Sequence, residues 1–221
     1  MGRRDPIALL ALALGLAMPA PGWAGGTTLP EPAAEPGLSV RDALDRRHSV
    51  RQFRQAPLPL AEAGQLLWAA QGINRPQRRT APSAGGLYPL TVYLVAGAVT
   101  DLPAGVYRYV PAGHRLEEVA AGDRRERLAE AALGQPWVRR APAALVIAAD
   151  YARTTGKYGE RGRRYVHMEV GHAAQNVYLQ AEALGLGTVM VGAFADKAVA
   201  RVLGLGTNET PLAILPVGRP D

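Results

Sequence analysis

Two arginines four residues apart enclose an imidazole and a hydroxyl in the run Arg47-His48-Ser49-Val50-Arg51. Guanidinium groups form paired, charge-assisted hydrogen bonds with phosphate and carboxylate oxygens, and a serine adds a short donor. The run therefore reads as an anion site or as a basic, solvated turn. A second stretch, Pro82-Ser83-Ala84-Gly85-Gly86-Leu87-Tyr88-Pro89, sets four small residues in a row between prolines. Residues this small let backbone lie close to a flat ligand, and the same composition also serves a plain turn. Third, Lys157 and Tyr158 are adjacent. Such a pair can act as base and acid where burial or nearby arginines lower the lysine pKa. Otherwise it is a solvated loop lysine beside a packed tyrosine. Glu169 and His172 stand three apart on a helical run, as two metal ligands would, but no third ligand lies at a suitable spacing. A buried, hydrogen-bonded pair at a subunit face is expected there, with no metal.

The elements that must position these residues are readable from periodicity. Ser39 suits an N-cap, and residues 39–47 form a short helix. Leu60–Gln71 has apolar residues at helical spacing and can end at Gly72. Residues 74–86 are polar, basic and broken by proline and glycine, a long loop. Residues 91–96 and Ala143–Ala149 are apolar runs suited to buried strands. Residues 106–110 and 116–119 form a hairpin, and 124–133 an amphipathic helix. Residues 154–164 read as a charged, glycine-bearing loop, followed by a long helix over 165–184. Little of that helix is polar, which favours packing against a second subunit. A strand over 188–194, a helix over Asp196–Leu203 and a strand over 212–217 complete the chain. Interleaved helices and strands place it in the α+β class.

The chain has 221 residues, 48% of them hydrophobic, enough for one domain with a sizeable core. It has no cysteine, so disulfides, thiolate metal sites and cysteine nucleophiles are excluded. Redox chemistry would need a bound cofactor. The net charge is +6, but the arginines fall in short groups spread along the chain. That spread suits a solvated surface, and no motif context for nucleic acid accompanies it. Residues 1–24 read as a secretory signal. Arg3 and Arg4 precede an apolar run over 7–18, too short to span a bilayer, and Gly22-Trp23-Ala24 ends in a residue suited to cleavage. An exported protein, periplasmic or extracellular, is expected, by the general or the twin-arginine route, with no membrane span after cleavage. Residues 25–37 read as a flexible linker without core-forming residues, and the domain proper as 38–221.

Taken in order, six segments resemble the nitroreductase superfamily and, within it, the SagB/ThcOx-type dehydrogenases. They are RRHSVRQF (46–53), LLWAAQGI (66–73), APSAGGLYPLTVYLV (81–95), GVYRY (105–109), KYGERGRRYVHMEVGHAAQNVYLQAEALGLG (157–187) and PVGRP (216–220). The resemblance implies a central mixed, mainly antiparallel sheet flanked by helices. It also implies a homodimer with one noncovalent FMN in each interface groove. Arg47, His48 and Ser49 match the segment that holds the FMN phosphate and ribityl chain, and Arg51 the basic residue near the pyrimidine edge. Pro82, Ser83 and Ala84 match the loop that the other subunit lays against the flavin. Val191, Gly192 and Ala193 match the segment at its reactive edge. Lys157 and Tyr158 match a pair implicated in proton removal in the azoline-oxidising branch.

The chain departs from the family in two places. The further basic pair beyond the last strand is missing, which leaves Arg219 as the candidate for that role. The position often filled by Glu is Gly192. The resemblance implies two-electron ping-pong chemistry on a small-molecule or peptide-derived substrate. It leaves open whether NAD(P)H is the electron donor. A non-catalytic flavin-binding or interaction protein of the same fold is the alternative.

Overall fold

The computed structural model describes residues 26–32 and 37–221. The expected signal segment, 1–24, lies outside the described residues. The first strand, β1 (Thr27–Thr28), is followed by α1 (Val40–Arg46) and α2 (Leu60–Gln71). A two-stranded hairpin, β2 (Ile73–Arg75) with β3 (Arg78–Arg79), and a 3-10 turn at Ala84–Gly86 come next. Then follow β4 (Leu90–Ala96), β5 (Gly105–Val110), β6 (Arg115–Ala121), α3 (Arg125–Ala131), α4 (Pro136–Arg140) and β7 (Ala143–Ala149). The chain ends with α5 (Ala152–Tyr158), α6 (Arg161–Ala183), β8 (Gly187–Thr188), α7 (Asp196–Leu203) and β9 (Thr210–Gly218).

The main sheet has seven strands in the order β1-β6-β5-β4-β7-β9-β8. Each of these neighbouring pairs is antiparallel, and isolated parallel bridges join Ser49 to Thr188 and Leu58 to Val99. Central β7 is buried along its whole length, as a strand covered on both faces must be. Its side chains alternate. Ala143, Leu145, Ile147 and Ala149 join the core under α2 and α6, whereas Ala144, Val146 and Ala148 join the core under α3, α4 and α7. The result is a three-layer α+β fold, and each fully buried Leu or Ile contributes roughly 1.5–3 kcal/mol.

Helix α1 starts where the Ser39 Oγ accepts the Asp42 amide at 3.1 Å, and α2 ends at Gly72. Four expectations are corrected. Part of the lead-in is docked: Thr27 and Thr28 pair with β6, Leu29 is buried, and the Pro30 carbonyl lies 3.0 Å from His114 Nε2. The 74–86 loop contains the β2–β3 hairpin. The strand expected over 188–194 pairs only at Gly187–Thr188. Beyond that, the Thr188 carbonyl and Met190 amide bond to Val50 and Tyr178, and a single bridge at Val191 touches β9.

Residues 154–164 are not a loop: α5 and α6 occupy the segment, joined at Gly159, whose φ is +58°. Gly162 marks a tight helix–helix approach, because a Cβ there would lie 2.9 Å from the backbone of Thr154 and Thr155. Among the described residues, no helix is long and apolar enough to cross a membrane.

Candidate functional site

Helix α6 carries two clusters at opposite ends. The first surrounds Tyr178. The Arg47 guanidinium carbon lies 5.4 Å from the Tyr178 ring centroid, and Ser49 Oγ is 3.2 Å from the Tyr178 hydroxyl. The same hydroxyl accepts the Met190 amide at 2.8 Å. Tyr178 thus ties the basic run after α1 to the segment after β8. Here the exposed Gly192 and Ala193 follow, and the Ala193 carbonyl accepts Gln135 Nε2 at 2.9 Å. A Cβ on Gly192 would meet nothing within 4 Å. Arg51 lies over Trp137, 5.7 Å from the ring centroid, and among the described residues the buried Trp137 indole N–H has no acceptor. Among the described residues neither Arg47 nor Arg51 has a carboxylate in ion-pair range. His48 is exposed, its Nδ1 3.1 Å from the Arg46 carbonyl and 3.8 Å from Glu182.

Two unpaired guanidiniums, a hydroxyl and exposed backbone form a donor-rich edge suited to a phosphate-bearing ligand such as FMN. Arg219 does not join it. Its guanidinium donates to the Leu184 carbonyl at 2.6 Å and to the Gly185 carbonyl, and pairs with Glu62. The α6 C-terminus takes this cation because its last carbonyls lack helical partners.

The second cluster lies where α5 meets α6. Ser83 Oγ accepts the Tyr88 amide at 2.9 Å and so closes the 83–88 loop. Gly85 has φ +63°, and a Cβ on it would lie 2.7 Å from the Tyr158 hydroxyl and 3.1 Å from Lys157 Nζ. The small-residue loop and the Lys157–Tyr158 pair therefore touch within one chain. Tyr158 stands edge-on to Tyr165 at 5.2 Å, whereas Lys157 is exposed.

Beneath the loop lies Glu169, only 2% exposed. Burial pushes its carboxyl up to about 7, while Ser83, Arg79, Gln71 and Arg153 pull it back. The expected Glu169–His172 pair does not form: Glu169 points inward and His172 is exposed. The roles of Tyr178 and Trp137 come from the fold: Trp137 stands two residues before the Arg139-Arg140 pair, whereas no basic run flanks Tyr178.

The three-layer sandwich, with basic and small-residue clusters at the two ends of one long helix, defines an α+β protein of the nitroreductase-like fold. The nitroreductase family model matches residues 44–219, and the chain belongs to the nitroreductase family, whose members are oxidoreductases. It is 46% identical over 183 residues to a Methanocaldococcus jannaschii protein named as a nitroreductase, covering 82% of this chain and 91% of that one. It is also 33% identical over 143 residues to the microcin B17-processing protein McbC of Escherichia coli, covering 58% of this chain and 49% of McbC. The crystal structure of a Ralstonia eutropha protein named as a nitroreductase superposes with a TM-score of 0.78 at 35% identity, covering 89% and 90% of the two chains.

Proposed function

We propose that the protein is an FMN-dependent oxidoreductase of the SagB type, with its active sites formed between two copies of the chain. One observation carries this reading. Within a protomer the two clusters are separated along α6, from Tyr165 to Tyr178, by thirteen residues, or about 20 Å at 1.5 Å per residue. Neither encloses a ligand alone. Antiparallel pairing of α6 with its copy would bring the 82–84 loop of one chain to the Arg47–Arg51 edge of the other, the isologous contact of a two-fold dimer. Exposed apolar surface supports this pairing: Met168 on α6 and Val40 and Leu44 on neighbouring α1 are at least half exposed.

Bound FMN supplies reversible two-electron chemistry. Arg47, His48 and Ser49 would hold its phosphate and ribityl chain. Arg51, fixed over Trp137, would favour added electron density at the pyrimidine edge. Pro82, Ser83 and Ala84 would cover the ring and exclude water, and the Val191, Gly192 and Ala193 backbone would face its reactive edge. The Tyr158 hydroxyl, beside Gly85 and Tyr165, would exchange a proton with the substrate, and Lys157, its amine 5.5 Å from the Tyr158 ring centroid, would serve as its partner in that transfer. Similarity to McbC supports a peptide-derived or small-molecule substrate. We further propose export. Nicotinamide is scarce outside the cytoplasm, so the substrate itself or a partner protein, rather than NAD(P)H, would reduce the flavin.

Arg47→Ala should lose about 10- to 100-fold in FMN affinity, the value of a charge-assisted hydrogen bond, measured by flavin absorbance after gel filtration. Stoichiometric flavin in that variant overturns the phosphate assignment. Lys157→Ala should keep its flavin while turnover falls on the order of 10²-fold or more. Unchanged turnover removes Lys157 from the mechanism. A yellow protein that no reductant or substrate bleaches would instead favour the non-catalytic alternative.

A further inference from the structure

A cavity of about 280 Å³ opens beside the second cluster, between β4, β5 and the start of α5. Its charged lining is Arg79, Arg108, Arg153 and Glu117. Glu117 is already paired with both Arg108 and Arg115. Among the described residues, Arg79 and Arg153 thus line the cavity with no carboxylate in ion-pair range. Arg79 is held in place from two sides. It donates to the Gln71 Oε1 at 2.8 Å, and its guanidinium lies 4.8 Å from the Tyr88 ring centroid. Gln71 also lines the cavity and is 1% exposed; among the described residues its amide nitrogen has no acceptor within hydrogen-bond distance, although it lies near enough to the Glu169 carboxyl to lower its pKa. The remaining wall includes Leu90, Val92 and Tyr109.

Burial and the neighbouring Arg153 charge both lower the Arg79 pKa. Arg79 is half-buried and Arg153 exposed at the cavity mouth; their like charges repel, and an anion between them would remove the repulsion. Glu169 answers them poorly, because burial keeps its carboxyl largely protonated up to about neutral pH.

We propose that this cavity is a carboxylate-binding site for a ligand with an apolar body, its carboxylate held by Arg79 and Arg153 and assisted by the Gln71 amide. A planar carboxylate matches guanidinium geometry, and the aliphatic and tyrosyl wall suits a short hydrocarbon chain. Arg153 stands one helical turn before Lys157 on α5. On the oxidoreductase reading proposed above, the site would thus anchor an acidic substrate beside the proton-transferring pair. The binding itself does not depend on that reading.

The test is calorimetric titration of the purified, flavin-containing protein with sodium hexanoate and with hexanamide, at constant ionic strength set by sodium chloride. Saturable binding of hexanoate is expected, with at least tenfold weaker binding of the amide. Arg153→Gln should weaken hexanoate at least tenfold, with circular dichroism and flavin absorbance unchanged. Equal binding of acid and amide, no saturable binding, or wild-type affinity in Arg153→Gln each overturns the proposal. Flavin content is read separately, so a colourless protein that still binds hexanoate counts against the FMN reading and for this site.

Discussion

Replacing Glu169 by glutamine is expected to flatten the dependence of stability on pH between about pH 4.5 and 7. The carboxyl is raised from 4.5 to about 7 in the folded protein, with burial as the leading cause. Across that window the folded state holds a proton that the unfolded chain has released. Stability therefore falls as pH rises through the window and levels off above it. The full effect is up to about 3 kcal/mol. Wild type and Glu169→Gln should have similar stability near pH 4.5. Above pH 7 the variant should be the more stable by that order, because an amide stays neutral and still offers Ser83 an acceptor. Urea unfolding at a series of pH values measures this, and parallel curves for the two proteins would show that Glu169 is ionised throughout. A carboxyl that carries this penalty below a loop touching Tyr158 is unusual, since most buried acids are paired.

The second large effect is expected from Gly171→Glu. Gly171 is exposed on α6 near Met168 and His172, and a Cβ there meets nothing within 4 Å. The protomer has room for the new side chain, and helix propensity favours it over glycine by up to about 1 kcal/mol. In the proposed dimer, however, a glutamate on each α6 would face its own symmetry mate with its charge taken out of water. Sedimentation should show a monomer with unchanged helical circular dichroism and FMN affinity at least 100-fold weaker. A dimer that keeps its flavin would remove α6 from the interface. Arg47→Ala and Gly171→Glu are distinguishable, since the first should lose flavin as a dimer and the second as a monomer.

Much of this architecture is written locally. The apolar spacing of Leu60–Gln71 and Asp196–Leu203 and the unbroken run of Ala143–Ala149 define their elements to the residue. Periodicity and strand burial need only neighbouring residues. Local pattern failed where glycine has two meanings. In 154–164 the glycines read locally as loop breakers, yet Gly162 serves close packing of two helices. It failed again at 188–194, where the ladder stops because Val50 and Tyr178, remote in sequence, take its backbone groups.

The candidate site divides in the same way. The residue types of Arg47, Ser49, Arg51, the 82–86 stretch and Lys157-Tyr158 are properties of the sequence, and so is the absence of cysteine chemistry. Tertiary structure alone decided that Gly85 meets Tyr158 and that Tyr178 joins the basic run after α1 to the segment after β8. It also decided that Arg219 closes a helix end and Glu62 rather than joining the basic edge. Such contacts link positions far apart in the chain. Whether a cation faces a ligand, a carbonyl or another cation depends on which elements cross near it, and that follows from burial of the whole core rather than from any local run of residues.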